Sequence, residues 1–552
     1  MGRFSRRASA AAGAALILSA TFVSARPANA DEVSGPPVAR VSLSSGDVAV
    51  LRADANDAVA ATINAPLLAG DALSTADGSR AEIQFDGRST IRMDQDTEVR
   101  VVDLDPAHRE VQLAGGAIDL REFSGYSGPD QVDTPSVSIR PDGAANIRIA
   151  VSDDGSTRIT VRLGHAYVLT PQSSIALDPA STLVAGGPPA TPAISYTASP
   201  ALDDFDQFCQ SRDQAVDATL SLPYINPAIG YADFSLYGRW VADPTYGEVW
   251  IPGVTLAGWA PYRYGRWVWE DGYGWCWIGD EPWGWAPYHY GRWFHSAQYG
   301  WAWYPPAVAV RPLWSPALVG FVTFGSVSIG VGFGSIAWVP LAPYEVYHPW
   351  YGWSGGHFGP TVVNNVTVTN VSITRVYANA GRTDAITGVS SQRFLAGSFD
   401  HPRPIAATQL TNAQAVRGTL PVAPTQRNLS FTTRPVPEQL AARTASTLTQ
   451  RHFAGNATTS ITRTPFEQQR ATLTRLAPGG NGVPPNGAPV NRTPPYRSLS
   501  PEASTRMNAT NATVRTNTVR ANVATPRPAP IRRPPTKARP KPKPPRNDSS
   551  PQ

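Results

Sequence analysis

The sequence predicts a mainly β, multi-module chain, and three observations carry that prediction. Between Arg40 and Leu183, apolar and polar residues alternate in short runs: Ala81, Ile83 and Phe85 against Arg80, Glu82 and Gln84, then Ile147, Ile149 and Val151, then Ile159, Val161 and Leu163. A period of two places one set of side chains on one face of a sheet. Asp77-Gly78, Asp86-Gly87, Asp142-Gly143 and Asp154-Gly155 separate these runs, and Asp and Gly accept the backbone angles of tight turns. Further on, Tyr-Gly-Arg-Trp recurs at Tyr237, Tyr264 and Tyr290, a period of 27 and then 26 residues, which marks a repeat architecture.

Residues 1–30 read as an export signal. Arg3, Arg6 and Arg7 precede an apolar run from Ala8 to Val23, and Ala28-Asn29-Ala30 supplies a small-x-small cleavage pattern before Asp31,. Arg6-Arg7 leaves general and twin-arginine export both open. The mature chain would be periplasmic or secreted, without a transmembrane anchor. The net charge of +5 sums unlike parts. Residues 501–552 carry eleven basic residues against Glu502 and Asp548, residues 1–30 carry four Arg and no acid, and the span between is acidic. A nucleic-acid face needs a basic patch on a folded surface, and none is offered. Cys209 and Cys276 could pair in an oxidising compartment or remain buried thiols.

Residues 38–185 form the first expected domain. Gly46-Asp47-Val48, Asn64 with Pro66-Leu67, Gly70-Asp71 with Leu73 and Thr75, Gly78-Ser79-Arg80-Ala81-Glu82 and Arg92-Met93-Asp94 resemble the FecR-type periplasmic domain. Thr134-Pro135-Ser136-Val137, Asp154-Gly155-Ser156-Thr157 and Val161 to Gly164 continue the pattern. In iron-uptake regulators such a domain relays an outer-membrane signal through a transmembrane helix to a sigma factor. This chain is expected to carry a cleavable signal and no cytoplasmic sigma-binding part, so the resemblance implies the domain type and not that regulation.

Residues 186–235 are expected to hold a linker, by their Gly, Pro and Ser content, and then a short helix. Ser199-Pro200 would start the helix, with Asp203 and Asp204 in the first turn. Leu202, Phe205, Phe208 and Cys209 would share one face, packed on the aromatic array. That array spans 236–350. Each repeat has room for one two-stranded hairpin, and lone hairpins must stack to be stable. Trp267 and Trp269, Trp275 and Trp277, Trp283 and Trp285, and Trp301 and Trp303 each fall on one face. Arg239, Arg266 and Arg292 recur beside the rings, which suits cation–π stacking worth roughly 0.5–1 kcal/mol at an exposed site.

Ala317 to Val339 carries no charge and is long enough to span a membrane,. Its alternating Gly330, Gly332 and Gly334 read instead as strand. The Tyr-Gly-Arg-Trp repeats, the Trp-Ala-Pro-Tyr blocks at Trp259 and Trp285, and Trp338-Val339-Pro340-Leu341 resemble, over 220–425, a bacterial domain of unknown function that commonly follows FecR-type domains. That resemblance implies no activity. Residues 351–425 should add edge strands, from Asn364 to Val376 and around Ile386 and Ala406, and extended segments. Residues 426–552 have few aromatics and are expected to be a long disordered Pro-rich basic tail.

No nucleophile elbow, metalloprotease helix, P-loop or dinucleotide fingerprint is present, so neither catalytic residues nor cofactors are expected. His289, His295 and Cys276 fall short of a metal site, and the two histidines read as rim residues on a strand. Glu270, Asp271, Asp280 and Glu281 flank the tryptophans as glycosidase acids would, but at predicted turns, where acids are ordinarily solvated. The leading expectation is an exported, non-catalytic envelope protein that binds cell-wall glycan or exopolysaccharide through Trp259, Tyr262, Trp267, Trp269, Trp285, Tyr288 and Trp293, with Arg239, Arg266 and Arg292. The rings serve equally to build a core where other large apolar residues are scarce. The alternatives are an envelope sensor that meets another envelope protein through its FecR-like domain, and a glycoside hydrolase.

Overall fold

A computed structural model describes residues 35–476, apart from 126–127, 129, 231–233, 255, 309–311, 325–334, 355–356, 361–375, 383, 398–402, 406–412, 417, 421 and 456–462. The expected signal (1–30), the strand at Asn364 and the tail beyond 476 lie outside the described residues.

The first domain is a 15-stranded, almost wholly antiparallel sheet folded on itself. Its hub is the 15-residue strand His108–Glu122. The first half of this strand pairs with Glu98–Asp105 and, in parallel, with Gln131–Asp133. Its second half pairs with Ser89–Met93 and with Ala145–Val151. One strand serves two directions because it turns at Gly116, which has φ +84°. A Cβ there would lie 2.4 Å from Thr97 Oγ1. Val41, Ile83, Ile91, Ile118, Leu120, Ile147, Ile149, Ile159 and Val161 fill the core. Leu163 leaves the predicted pattern and is half exposed, because the register shifts at Asn146 opposite it.

The alternation is correct, but the polar face is not solvated. Glu82 and Arg92 are fully buried beneath the helix Asp204–Leu220. Asp203 caps this helix and Asp206 completes a capping box, the reciprocal bonding that satisfies two orphan donors. Arg92 donates to Glu82 (2.8 Å) and Asp213 (2.6 Å), Arg212 to Glu82 (2.7 Å), and Arg148 and Arg162 to Asp206 (3.0 and 2.7 Å). The helix therefore belongs to the first domain and does not pack on the array. Leu202 precedes it and is exposed. The expected linker is also corrected: Ala193–Thr197 is a strand paired with Thr182–Gly186.

The array does form three hairpins: Gly238–Asp243 with Gly247–Pro252, Gly265–Glu270 with Gly274–Gly279, and Arg292–Ser296 with Gly300–Tyr304. The first and third join through Trp250 and Trp303 into a four-stranded sheet. The second lies against a five-stranded sheet that includes Val319–Phe324 and Ser335–Pro340. Both ends of the uncharged stretch are thus strand, and no described helix is long and apolar enough to cross a membrane.

Order continues past residue 425, against expectation. Helices Glu438–Gln450 and Phe466–Leu476 return to the first domain. Leu448 packs with Ala72 and Ala114, and the Phe466 N–H donates to Asp54 O. The first domain, the array and this segment make one compact unit.

Candidate functional site

The repeat acquires a physical meaning in the hairpins. In each, the Trp of Tyr-Gly-Arg-Trp faces a second Trp across the ladder: Trp240 and Trp250, Trp267 and Trp277, Trp293 and Trp303. The preceding glycine lies under the second indole. A Cβ on Gly238, Gly265 or Gly291 would come within 2.4, 2.7 and 2.6 Å of Trp250, Trp277 and Trp303. The glycine of the second Tyr-Gly closes each three-residue loop at φ +75° (Gly247), +78° (Gly274) and +78° (Gly300), the left-handed position such loops require. Among the described residues, indole N–H groups donate to main-chain carbonyls: Trp250 to Phe234, Trp293 to Pro287, Trp303 to Tyr290, Trp338 to Tyr262 and Trp350 to Trp275.

This packing decides where the expected ligand rings lie. Trp259, Tyr262, Trp267, Trp269, Trp285, Tyr288 and Trp293 are all buried, none more than 8% exposed. They are core, packed on one another and on further rings: Trp259 on Trp283 and Trp293, Tyr262 on Tyr288, Trp267 on Phe321 and Trp338, and Trp285 on Trp314. Of the three arginines, Arg239 is exposed and Arg266 and Arg292 are partly covered. The Arg292 guanidinium donates to the Gly291 and Glu345 carbonyls. The seven rings and three arginines therefore do not form one open face.

Beside Trp240, which is partly buried, several tyrosines of the array remain partly open. On the outer face of the four-stranded sheet, Val249, Ile251, Phe294 and Ala302 make a small separate cluster rimmed by Tyr246, Tyr299 and Tyr304. Tyr246 lies 5.5 Å from Tyr304 and 6.1 Å from Tyr344, ring centre to ring centre. Tyr344 is 64% exposed and holds a left-handed backbone, φ +66°, which is uncommon for a bulky residue and clusters at functional sites. The second Tyr-Gly of the repeat is the signal that could have found this row.

The acids flanking the array depart furthest from expectation. In the first and third hairpins the last residue before the loop is Asp243 or Ser296, whose side chain accepts loop N–H bonds. The second hairpin has Glu270 there. Its side chain is buried and accepts from Arg52 of the first domain at 2.7 Å. Arg52 also grips Asp54 at 3.0 Å and donates to Trp269 O at 2.8 Å. Arg463 closes the cluster against Asp71, Asp54 (3.4 Å), Asp271 (3.6 Å) and Glu270 (3.9 Å). Burial pushes the Glu270 carboxyl up to about 8 against the pull of Arg52 and Arg463. Four carboxylates and two arginines thus join three distant parts of the chain, and Glu270 is locked rather than solvated. Gln469 extends the contact, accepting from Trp269 Nε1 at 2.8 Å.

A second tie runs from Asn64, which donates to the carbonyls of Gly279 and Glu281 (3.2 and 2.8 Å). Glu281 in turn accepts from Trp259 Nε1 at 2.8 Å, and burial pushes its carboxyl up to about 7. Asp280 is exposed. His289 is not a rim residue: it is buried in a short helix, with Nδ1 2.7 Å from Ser315 O. Burial lowers its pKa to about 3. Cys209 and Cys276 are both free and buried, and burial raises both thiols. Among the described residues, no group of three His, Cys, Asp or Glu side chains could hold a metal ion.

Two crystal structures of a protein from Parabacteroides distasonis ATCC 8503, described as a candidate anti-sigma factor, are similar at 16% and 17% identity. They cover 28% of this chain and 67% and 68% of their own, each with a TM-score of 0.21. No curated protein matches the chain. The FecR protein family model matches residues 71–167, within the first domain, and the model of a family of unknown function, DUF6600, matches residues 231–345. The chain therefore carries a FecR-type domain followed by a DUF6600 domain, the second of which is the aromatic array.

Proposed function

We propose that this chain is an exported, non-catalytic protein of a bacterial envelope, in which the FecR-type domain receives a protein partner and the array holds that domain in a fixed frame. One observation carries the reading: the array's tryptophans are core, and its second hairpin is bolted to the FecR-type domain through the Arg52–Glu270–Arg463 cluster. A module built this way supports the domain beside it. The acids that a hydrolase would need support the same reading, since Glu270 faces Arg52 and Glu281 faces Trp259. Photo-crosslinking groups placed at the exposed Leu163, Tyr167 and Tyr196 of the FecR-type domain should trap a discrete envelope protein in cells. Absence of any adduct across the three positions would overturn the reading.

A second reading, glycan binding, is favoured by the tyrosine row alone. Tilted rings with pendant hydroxyls can stack on sugar faces and bond their edges. Purified chain should then be retained on peptidoglycan or exopolysaccharide, and Tyr344→Ala should abolish retention while the native tryptophan emission is kept. Equal retention of the variant would exclude this face.

A further inference from the structure

The helix Glu438–Gln450 lies on the FecR-type domain and buries one face against it. It has 13 residues, four of them Ser or Thr between Thr444 and Thr449, and no side chain caps its first turn. Helices of that length are marginal in isolation, and an absent cap removes further support. Its helicity is therefore borrowed from the surface beneath it. That surface is a trough over strands Val48–Leu51, Ala72–Thr75 and Glu98–Asp105. Leu440, Thr444 and Leu448 are buried at i, i+4 and i+8 spacing, one face of a helix.

The contact is separate from the main core. Among the described residues, Leu448 packs in a small cluster with Ala72 and Ala114, edged by Leu51 and Phe453. An acidic rim reads the one cation: Arg443 pairs with Asp96 and Glu98, both at 2.9 Å, and donates to Thr75 O. At the entry side the fit is incomplete. A cleft of about 290 Å³ lies between Gly46, Asp47, Val48 and Ala60 and the segment Arg434–Pro437. The flanks are anchored firmly. Leu429 and Phe431 are buried on one side, and Arg463 is buried in the ion cluster on the other. A helix tethered between two fixed points meets its own surface at high effective concentration.

We infer that this trough is the docking site for an amphipathic helix of the partner protein, one with apolar residues at i and i+8 and an arginine at i+3, and that the chain's own helix occupies it as a tethered competitor. The inference rests on the protein-binding reading above and specifies its surface.

The test uses the full mature chain and a fluorescent peptide of residues 437–453 as the probe. Two variants release the chain's own helix: Arg443→Glu with Leu448→Asp, and Ser446→Pro, which breaks the helix without adding charge against the trough. Hydrogen exchange over 438–450 should rise at least tenfold in both, while Ile118 to Leu120 remain protected. The peptide should then bind at least tenfold tighter to either variant than to the parent chain, and a peptide carrying Arg443→Glu should not bind. Unchanged exchange over 438–450 in both variants would show the helix to be integral and would overturn the inference. So would released helices with no gain in peptide affinity. Neither outcome depends on whether a cellular crosslink is found.

Discussion

The seating of each cross-strand indole on a repeat glycine can be tested with four alanine substitutions. Gly247→Ala and Gly300→Ala place a Cβ in open space but in the left-handed region, at φ +75° and +78°. Their cost is conformational alone, about 1–2 kcal/mol each. Gly238→Ala is the reverse case. Its backbone lies outside the left-handed region, but the Cβ would approach both Ile251 O and the Trp250 ring to 2.4 Å, an overpacking cost of about 1–3 kcal/mol. Gly291 combines both, with φ +68° and a Cβ 2.3 Å from Tyr304 O and 2.6 Å from Trp303 Nε1, so Gly291→Ala should cost about 2–5 kcal/mol. Urea unfolding followed by tryptophan fluorescence ranks the set, because the reporter rings are the ones displaced. The expected order is Gly291→Ala worst, Gly238→Ala intermediate, and the two loop variants mildest with intact native emission. If Gly291→Ala is no worse than Gly300→Ala, or if Gly238→Ala is silent, the indoles are not seated on the glycines and the account of the repeat fails.

Three further outcomes follow from the buried charges. Arg463→Ala leaves Asp54, Asp71, Glu270 and Asp271 around Arg52 alone, and breaking a buried pair typically costs about 3–5 kcal/mol; hydrogen exchange in Phe466–Leu476 should accelerate before that of the FecR-type strands. Glu270 binds its proton more tightly folded than unfolded, with a folded pKa of about 8, so stability should fall as pH rises from roughly 4.5 to 8, and Glu270→Gln should flatten that arm in pH-dependent melting. His289 has the opposite sign: its folded pKa of about 3 lies below the unfolded value, so stability should fall as pH drops from about 6.5 towards 3, and His289→Gln should remove that loss.

The sequence showed the strands of the FecR-type domain and the three hairpins because both depend on local signals. Ile147, Ile149 and Val151 announce a face, and Tyr246-Gly247 announces a turn. The strand Ala193–Thr197 was hidden because Gly, Pro and Ser surround it and its stability comes from a ladder with Thr182–Gly186. The helix Glu438–Gln450 was hidden for the related reason that its support is a distant trough. Periodicity placed Trp267 and Trp269 on one face but could not say what covers that face, since Phe321 and Phe394 reach Trp267 from a strand and a short helix far along the chain. The charge cluster left one trace: Glu270 breaks the Asp243 and Ser296 pattern of loop-capping side chains. A repeat position that abandons its local bond marks a residue bonded elsewhere.

The same logic separates the two faces of the four-stranded sheet. Its inner face is occupied by Trp240, Trp250, Trp293 and Trp303, packed on one another and on Phe234. Its outer face carries Phe294 and the tyrosines, and Tyr344 reaches over them from a strained backbone. On the first face glycines lie beneath Trp250 and Trp303, and removing either ring would open a cavity. The second face has no such account. A left-handed tyrosine costs energy that glycine would avoid at the same position, and its ring is mostly exposed, so burial does not repay it. Tyr344→Gly should therefore stabilise the fold slightly, by less than the strain alone, because the ring also packs on Tyr246 and Tyr304. Retention on glycan, or its loss in that variant, decides whether the array is a frame alone or a frame with a surface.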